Sequence, residues 1–159
     1  MADPTEPLCE QALQLIVEML QQITTARGYY TDLGAGDIST EPTQRPANTA
    51  DAYVVLTETA VTVSSEGTRT VNSSMTVVIE FVVPCGGTNR RPANLARRGR
   101  DDIVRALRTP LRDRLPGVRT ISVDQTQRLI FDDQRYVNSV IGQATATVGL
   151  TATLPPATP

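Results

Sequence analysis

The chain is 159 residues long, 40% hydrophobic but only 4% aromatic, with a formal net charge of -2, so its core must be built from Val, Ile, Leu and Ala. All 15 basic residues are Arg, and there is no Lys, His or Trp. That excludes Ser/His and Cys/His nucleophile pairs, imidazole metal sites, the phosphate-loop lysine, Schiff bases and Ser/Lys dyads, and predicts a protein that is not an enzyme and carries no cofactor or metal.

From the N-terminus, Asp3 or Thr5 can cap a helix, Pro4 suits its first turn and Gly28 the left-handed position after its end. Between them Leu8, Ala12, Leu15, Ile16, Met19, Leu20 and Ile23 recur at helical spacing. Leu13 and Val17 widen the apolar arc to roughly 200°, more than one sheet requires. The helix is either a deeply buried core element or one whose Leu13/Val17 flank meets another subunit. Met1-Ala2-Asp3-Pro4 has neither the basic nor the apolar region of a signal peptide. Tyr29 to Leu33 reads as a short strand, and Gly34 to Asp51 as a long loop rich in Gly, Pro, Ser, Thr and Asn. Its Gly-Ala-Gly lacks the spacing and the strand and helix of a nucleotide fingerprint.

Two β-branched runs, Tyr53 to Val63 and Val71 to Val83, flank Ser65-Glu66-Gly67-Thr68 and predict a long β-hairpin. At about 3.3 Å per residue each strand would reach roughly 40 Å, far beyond the common strand. The base is apolar on both faces, whereas Thr62 to Ser74, with Glu66 and Arg69 at the tip, is polar. The tip is therefore expected to project into water or onto a partner. The longest apolar run, Met75 to Val83, contains Glu80 and is too short to span a bilayer.

A second helix follows, capped by Asn94, with Ile103, Val104, Leu107 and Leu111 as its apolar face and Ala96 and Ala106 at the edges. Arg97, Arg98, Asp101, Arg105, Arg108 and Arg112 lie opposite. Pro110 should kink or restart it, with Thr109 as the new cap. Beyond Leu115-Pro116-Gly117, a strand is expected from Arg119 to Phe131, a turn at Asp132 to Arg135, and a last strand from Tyr136 towards Thr153. The last strand alternates Ala144, Ala146, Val148, Leu150 and Ala152 with Gln143, Thr145, Thr147, Gly149 and Thr151, the pattern of an antiparallel strand with one polar face.

The expected architecture is one α+β domain over residues 1–154, with two helices packed on one face of a mainly antiparallel or mixed sheet, a protruding hairpin, and a disordered tail at 155–159. Cys9 and Cys85 have no metal spacing; the alternatives are a disulfide between them and, the one expected, two reduced thiols in a cytoplasmic protein.

Charge is segregated along the chain. Arg90 to Arg119 holds ten Arg against three acids, a net of +7, whereas Met1 to Ala60 holds nine acids against two Arg, a net of -7. The Arg face has three readings: a solvated surface with i,i+4 pairs (Arg97 with Asp101, Asp101 with Arg105, Arg98 with Asp102), a head-to-tail contact with the acidic half of another copy, or phosphate and nucleic-acid binding. Asp101-Asp102 point about 100° apart on a helix and Asp132-Asp133 sit in a turn, so neither pair reads as a metal or acid/base site.

The opening helix ending Arg27-Gly28-Tyr29-Tyr30-Thr31-Asp32-Leu33, the loop with Pro42 and Pro46 before the β-run at Ala52, the helix containing Arg100 to Leu107, and Arg128-Leu129-Ile130-Phe131 running through Asp132-Asp133 to Tyr136 and a Thr/Ala-rich strand form one ordered pattern. In element order and texture, over nearly the whole chain, it resembles the tail terminator (tail completion) proteins of long-tailed bacteriophages. The resemblance implies a virion subunit that forms a ring, typically a hexamer, on the head-proximal end of the tail tube. Such a ring ends tube polymerisation and meets the head-tail connector or stopper protein, while DNA passes through it without sequence-specific binding and no membrane is involved. Connector stoppers and tube proteins share parts of that fold, and no functional residue carries over individually. The interface residues expected on this reading are Arg97, Arg98, Arg105, Arg108 and Arg112, the tip residues Glu66 and Arg69, and the helix flank Leu13 and Val17.

Overall fold

A computed structural model describes residues 7–41, 51–86, 89–109, 115–131, 136 and 138–155. It is an α+β fold of two helices on one face of a six-stranded, mostly antiparallel sheet. The elements in order are α1 (Leu8–Gln21), β1 (Ile38–Ser39), β2 (Tyr53–Glu66), β3 (Thr70–Pro84), α2 (Pro92–Arg108), β4 (Val118–Val123), β5 (Arg128–Phe131) and β6 (Ser139–Thr153). The sheet order is β1-β2-β3-β6-β4, and β5 lies in line with β4 on the same edge of β6. Among the described residues only β1 is parallel to its neighbour, β2.

The period-two patterns of β3 and β6 set which side is dry. Met75, Val77, Ile79, Phe81 and Val83 pair in register with Val148, Ala146, Ala144, Gly142 and Val140, and they face the helices. Against them pack Ala12, Ile16 and Leu20 of α1 and Ala96, Ile103, Ala106 and Leu107 of α2. The close seating of α2 depends on two glycines. A Cβ on Gly99 would fall inside the Phe81 ring, and one on Gly142 would strike the Ala96 carbonyl. The opposite sheet face buries only a small cluster of Tyr53, Val55, Val82, Tyr136 and Ile141. Beyond it, towards Thr76 and Thr147, the face is half-open.

Several boundaries differ from expectation. Helix α1 stops at Gln21, because the β-branched run Ile23-Thr24-Thr25 turns the chain out and Thr24 is extended. Gly28, at φ 85°, ends a separate 3-10 turn, Thr25–Arg27, instead of the helix. Tyr29 to Leu33 is not a strand but leads into a second 3-10 turn, Leu33–Ala35. The short strand in this region is β1, which has no alternation to announce it. Helix α2 begins at Pro92, without a side-chain cap from Asn94, and ends at Arg108. Thr109 is extended there, as the residue before a proline should be. The expected strand Arg119 to Phe131 is two strands separated at Asp124, whose N–H bonds the Thr145 carbonyl at 2.8 Å. Strand β6 starts at Ser139, three residues later than predicted, after a turn with Asn138 at φ 53°. The caps Asp3 and Thr5, the prolines 42 and 46, the restart at Pro110, Leu111 and Arg112, the 132–135 turn and the final residues 156–159 lie outside the described residues.

The hairpin is longer than its two apolar runs, and it is not a free two-stranded arm. Strand β6 accompanies β3 along its full length, from Pro84↔Ser139 to Thr70↔Thr153. On the far side of β6, β4 runs alongside Ala146 to Leu150, so beside the exposed stretch of β2 the sheet is four strands wide, with β2 at its edge, and only its end, Thr70 to Asn72 against Thr151 to Thr153, is three-stranded.

Candidate interaction surfaces

Among the described residues no group of three or more His, Cys, Asp or Glu could hold a metal ion. No helix there is long and apolar enough to cross a membrane.

The Arg face of α2 divides in two. Arg97, Arg98 and Arg108 are exposed. Arg105 is exposed as well but already engaged within the chain. Its guanidinium donates from both terminal nitrogens to the Gly28 carbonyl at 3.3 Å and lies 5.0 Å from the centroid of Tyr29 and 5.4 Å from that of Tyr30. It also pairs with Asp102 at 3.5 Å. Arg105 acts as an internal clasp, and it offers a partner less than the sequence pattern implies.

None of the three expected i,i+4 ion pairs forms. Asp101 pairs with its neighbour Arg100 at 3.0 Å. The Asp102 side chain is wholly buried, turned away from Arg98, and receives the backbone N–H groups of Tyr30 and Thr31 and the Thr31 hydroxyl at 3.1, 2.8 and 2.9 Å. The signal for this was present. Ala96, Gly99, Asp102 and Ala106 follow one another at helical spacing, so Asp102 lies on the stripe of small residues that meets other backbone.

The leading helix also corrects its expectation in part. Val17 is 7% exposed and packs into the main core, so it has almost nothing left for a neighbour. The wide apolar arc is consumed by α2, the sheet and the 3-10 segment, which together cover more than one side of α1. Leu13 remains half-buried at the wall of a groove of about 310 Å³ formed with Glu10, Gln14, Thr40 and Glu41. A second shallow groove, of about 320 Å³, lies at the start of α2 between Arg91, Asn94, Leu95 and Arg98. One groove is acidic around a leucine and the other basic around a leucine.

Glu66 and Arg69 flank the exposed tip, where the Gly67 N–H bonds the Thr70 carbonyl at 2.7 Å and the Arg69 carbonyl accepts the Leu154 N–H at 2.8 Å. Between this tip and the core, β2 is exposed from Glu58 to Glu66. Register shifts near Thr59 and Ser64 rephase it. Val61, opposite Met75, and Val63, opposite Ser73, therefore fall on the helix-bearing face but beyond the helices, 43% and 52% exposed. Both valines belong to the first predicted β-branched run, and Val63 also to the stretch read as polar tip; plain alternation from Val54 and Leu56 would put Ala60 and Thr62 on this face, and the bulge at Thr59 puts the valines there instead.

Buried polar chemistry on the opposite sheet face was also missed. Glu80 is 2% exposed; its carboxylate accepts the Tyr136 hydroxyl at 3.1 Å and the Gln143 amide at 3.0 Å. An acid alternating with Val78 and Val82 was the available signal. Cys85 is exposed and Cys9 half-buried, and both are free thiols.

Compared with models of known protein families the chain matches none, and comparison with curated proteins finds no significant similarity.

Proposed function

We propose that this chain is a structural ring subunit of a long-tailed phage particle, which caps the head-proximal end of the tail tube, ends its polymerisation and forms the joint to the head-tail connector. What carries the reading is the edge strand β2, exposed from Glu58 to Glu66 and without a neighbour on its outer side among the described residues, since an open strand edge is a ready template for pairing with another chain. The resemblance of the sequence pattern to that of tail terminators supports it, as do the two grooves of opposite charge. In this role the ring, expected to be a hexamer, acts through shape and contact and performs no reaction. DNA traverses its opening, and the subunits meet one another, the tube protein and the connector or stopper.

The test is to add the purified chain to polymerising tail tube protein and to image the mixture by negative stain. Ring-shaped density at one end of tubes that have stopped growing is the expected result. Tubes that elongate undiminished, with the chain absent from their ends, would overturn the reading. A second reading is favoured by the exposed Arg91, Arg97, Arg98 and Arg108, namely nucleic-acid binding along α2. Affinity for duplex DNA that falls steeply with salt, and is lost on reversing Arg97 and Arg98, would favour it over the ring.

A further inference from the structure

We infer that the open edge of β2 is the seat of a second copy of this chain, and that the segment which docks there is the open edge of its β4. The inference deepens the ring reading and rests on it for the closed head-to-tail arrangement. Among the described residues β2 has no neighbour on its outer side beyond the two residues, Val54 and Val55, that β1 covers, and β4 has none on its outer side.

Three features match these two edges. The first is direction. Strands β2, β3, β6 and β4 alternate in sense, so β2 and β4 of one molecule run oppositely. A rotation about an axis inclined modestly to the strands keeps β4 of the next copy antiparallel to β2, staggers the copies along the strands, and joins the two sheets with their helix-bearing faces on the same side. The second is apolar pattern. On that face β2 shows Val61 and Val63, and β4 shows Ile121 and Val123, opposite Val148 and Ala146 of β6 and only partly covered. Setting Val63 against Ile121 places Val61 against Val123 and makes one apolar surface of four half-open side chains; it also carries the end of β5 of the arriving copy to Val54 and Val55, so the two-residue pairing of β1 has to give way there. The third is charge. The same register brings the exposed Arg119 of the arriving strand to the end of β2, beside the exposed Glu66. A β2-to-β2 contact would instead place Glu58 and Glu66 of both copies on one seam. Such a heterologous contact leaves each molecule with one edge of either kind to offer, so it continues until the rotation closes.

Disulfide trapping tests this on the full chain with Cys9 and Cys85 replaced by Ser. In an antiparallel pair, directly opposed Cα atoms lie about 4.5–5.5 Å apart, within disulfide reach. Val63→Cys and Ile121→Cys in one chain should give, on mild oxidation, a covalent ladder ending at the ring size, whereas either alone should stay uncrosslinked. Val61→Lys with Val63→Lys should weaken self-association at least about tenfold by analytical ultracentrifugation, with an unchanged circular dichroism spectrum. Glu66→Arg and Arg119→Glu should each weaken it and together restore it. Crosslinking of Val63→Cys alone, undiminished association of the double-lysine variant, or a wild-type chain still monomeric at about millimolar concentration would each overturn the inference. Rings that persist with β2 blocked would remove this contact and leave the tail-capping function standing. Edge-dependent oligomers that ignore tube ends would do the reverse.

Discussion

The Oδ2 atom of Asp102 accepts both the backbone N–H and the hydroxyl of Thr31, a residue 71 positions earlier, inside a fully buried pocket between α2 and the turn after α1. This carboxylate does locally what a strand pairing would otherwise do. It satisfies backbone donors of Tyr30 and Thr31 that no sheet reaches, and Arg105 closes over it from outside. Removing it strands three donors at once. We expect Asp102→Ala to cost about 3 kcal/mol, measured by urea unfolding, because breaking one side of a buried charged cluster leaves the rest uncompensated. Asp102→Asn should cost less, since its amide oxygen can still accept.

Arg105→Ala should cost only about 1 kcal/mol, since the guanidinium is half-exposed and water replaces part of what it loses. Arg105→Lys should not recover the loss, because an ammonium cannot both span the two donors to Gly28 and lie flat against Tyr29 and Tyr30. Equal melting temperatures for Arg105→Lys and the wild type would show that the clasp is only a point charge.

At Gly99 two effects oppose each other, and their sizes decide the sign. In a helix interior, Gly→Ala gains about 1 kcal/mol of propensity. Here the new methyl would fall inside the Phe81 ring, which is 3% exposed and sits on the sheet that carries the main core, so it has nowhere to go. Overpacking of this kind costs about 1–3 kcal/mol or more, so Gly99→Ala should destabilise. Phe81→Leu in the same chain should relieve part of the loss, a non-additivity that thermal melts of the four variants would read.

Much of this fold was legible because its signals are periodic. The apolar alternation of β3 and β6 and the 3.6-residue repeat of α2 predict both the elements and their buried faces. What was not legible depended on single side chains meeting distant backbone. Nothing local says that Tyr29 to Thr31 will be held by Asp102 and so need not form a strand, or that one bulged residue at Thr59 will turn Val61 and Val63 towards the helix side. Arg97, Arg98 and Arg108 are exposed on the side of α2 that their spacing implies, but Arg105 and Val17 were already committed within the chain. Spacing shows which side of a helix a residue occupies, whereas only packing shows whether anything is left for a partner.

On the other sheet face, Glu80 should be the most sensitive position. Glu80→Ala removes the buried carboxylate that accepts the Tyr136 hydroxyl and the Gln143 amide, and it should cost about 3 kcal/mol by chemical denaturation. Tyr136→Phe removes one donor but keeps the ring against Tyr53, so about 1 kcal/mol is expected. If Glu80→Ala proved as mild as Tyr136→Phe, the site would have to admit water.

The two thiols should separate cleanly in reactivity. Burial, then the nearby carboxylates of Glu58 and Glu10, raise the Cys9 thiol above its ordinary value of 9.0, since each disfavours the thiolate. Cys85 is exposed just past the end of β3. With iodoacetamide near neutral pH, Cys85 should be modified first and Cys9 far more slowly, read by peptide mass spectrometry. The same shift has a consequence for stability. A group whose folded pKa is raised contributes stability that is whole below its unfolded pKa and is lost as pH climbs through the folded one. Stability should therefore decline above about pH 9 by an amount that Cys9→Ala abolishes, because alanine has no proton to lose. An identical alkaline decline in Cys9→Ala would show that other groups set the limit and that the carboxylates around Cys9 act too weakly to matter.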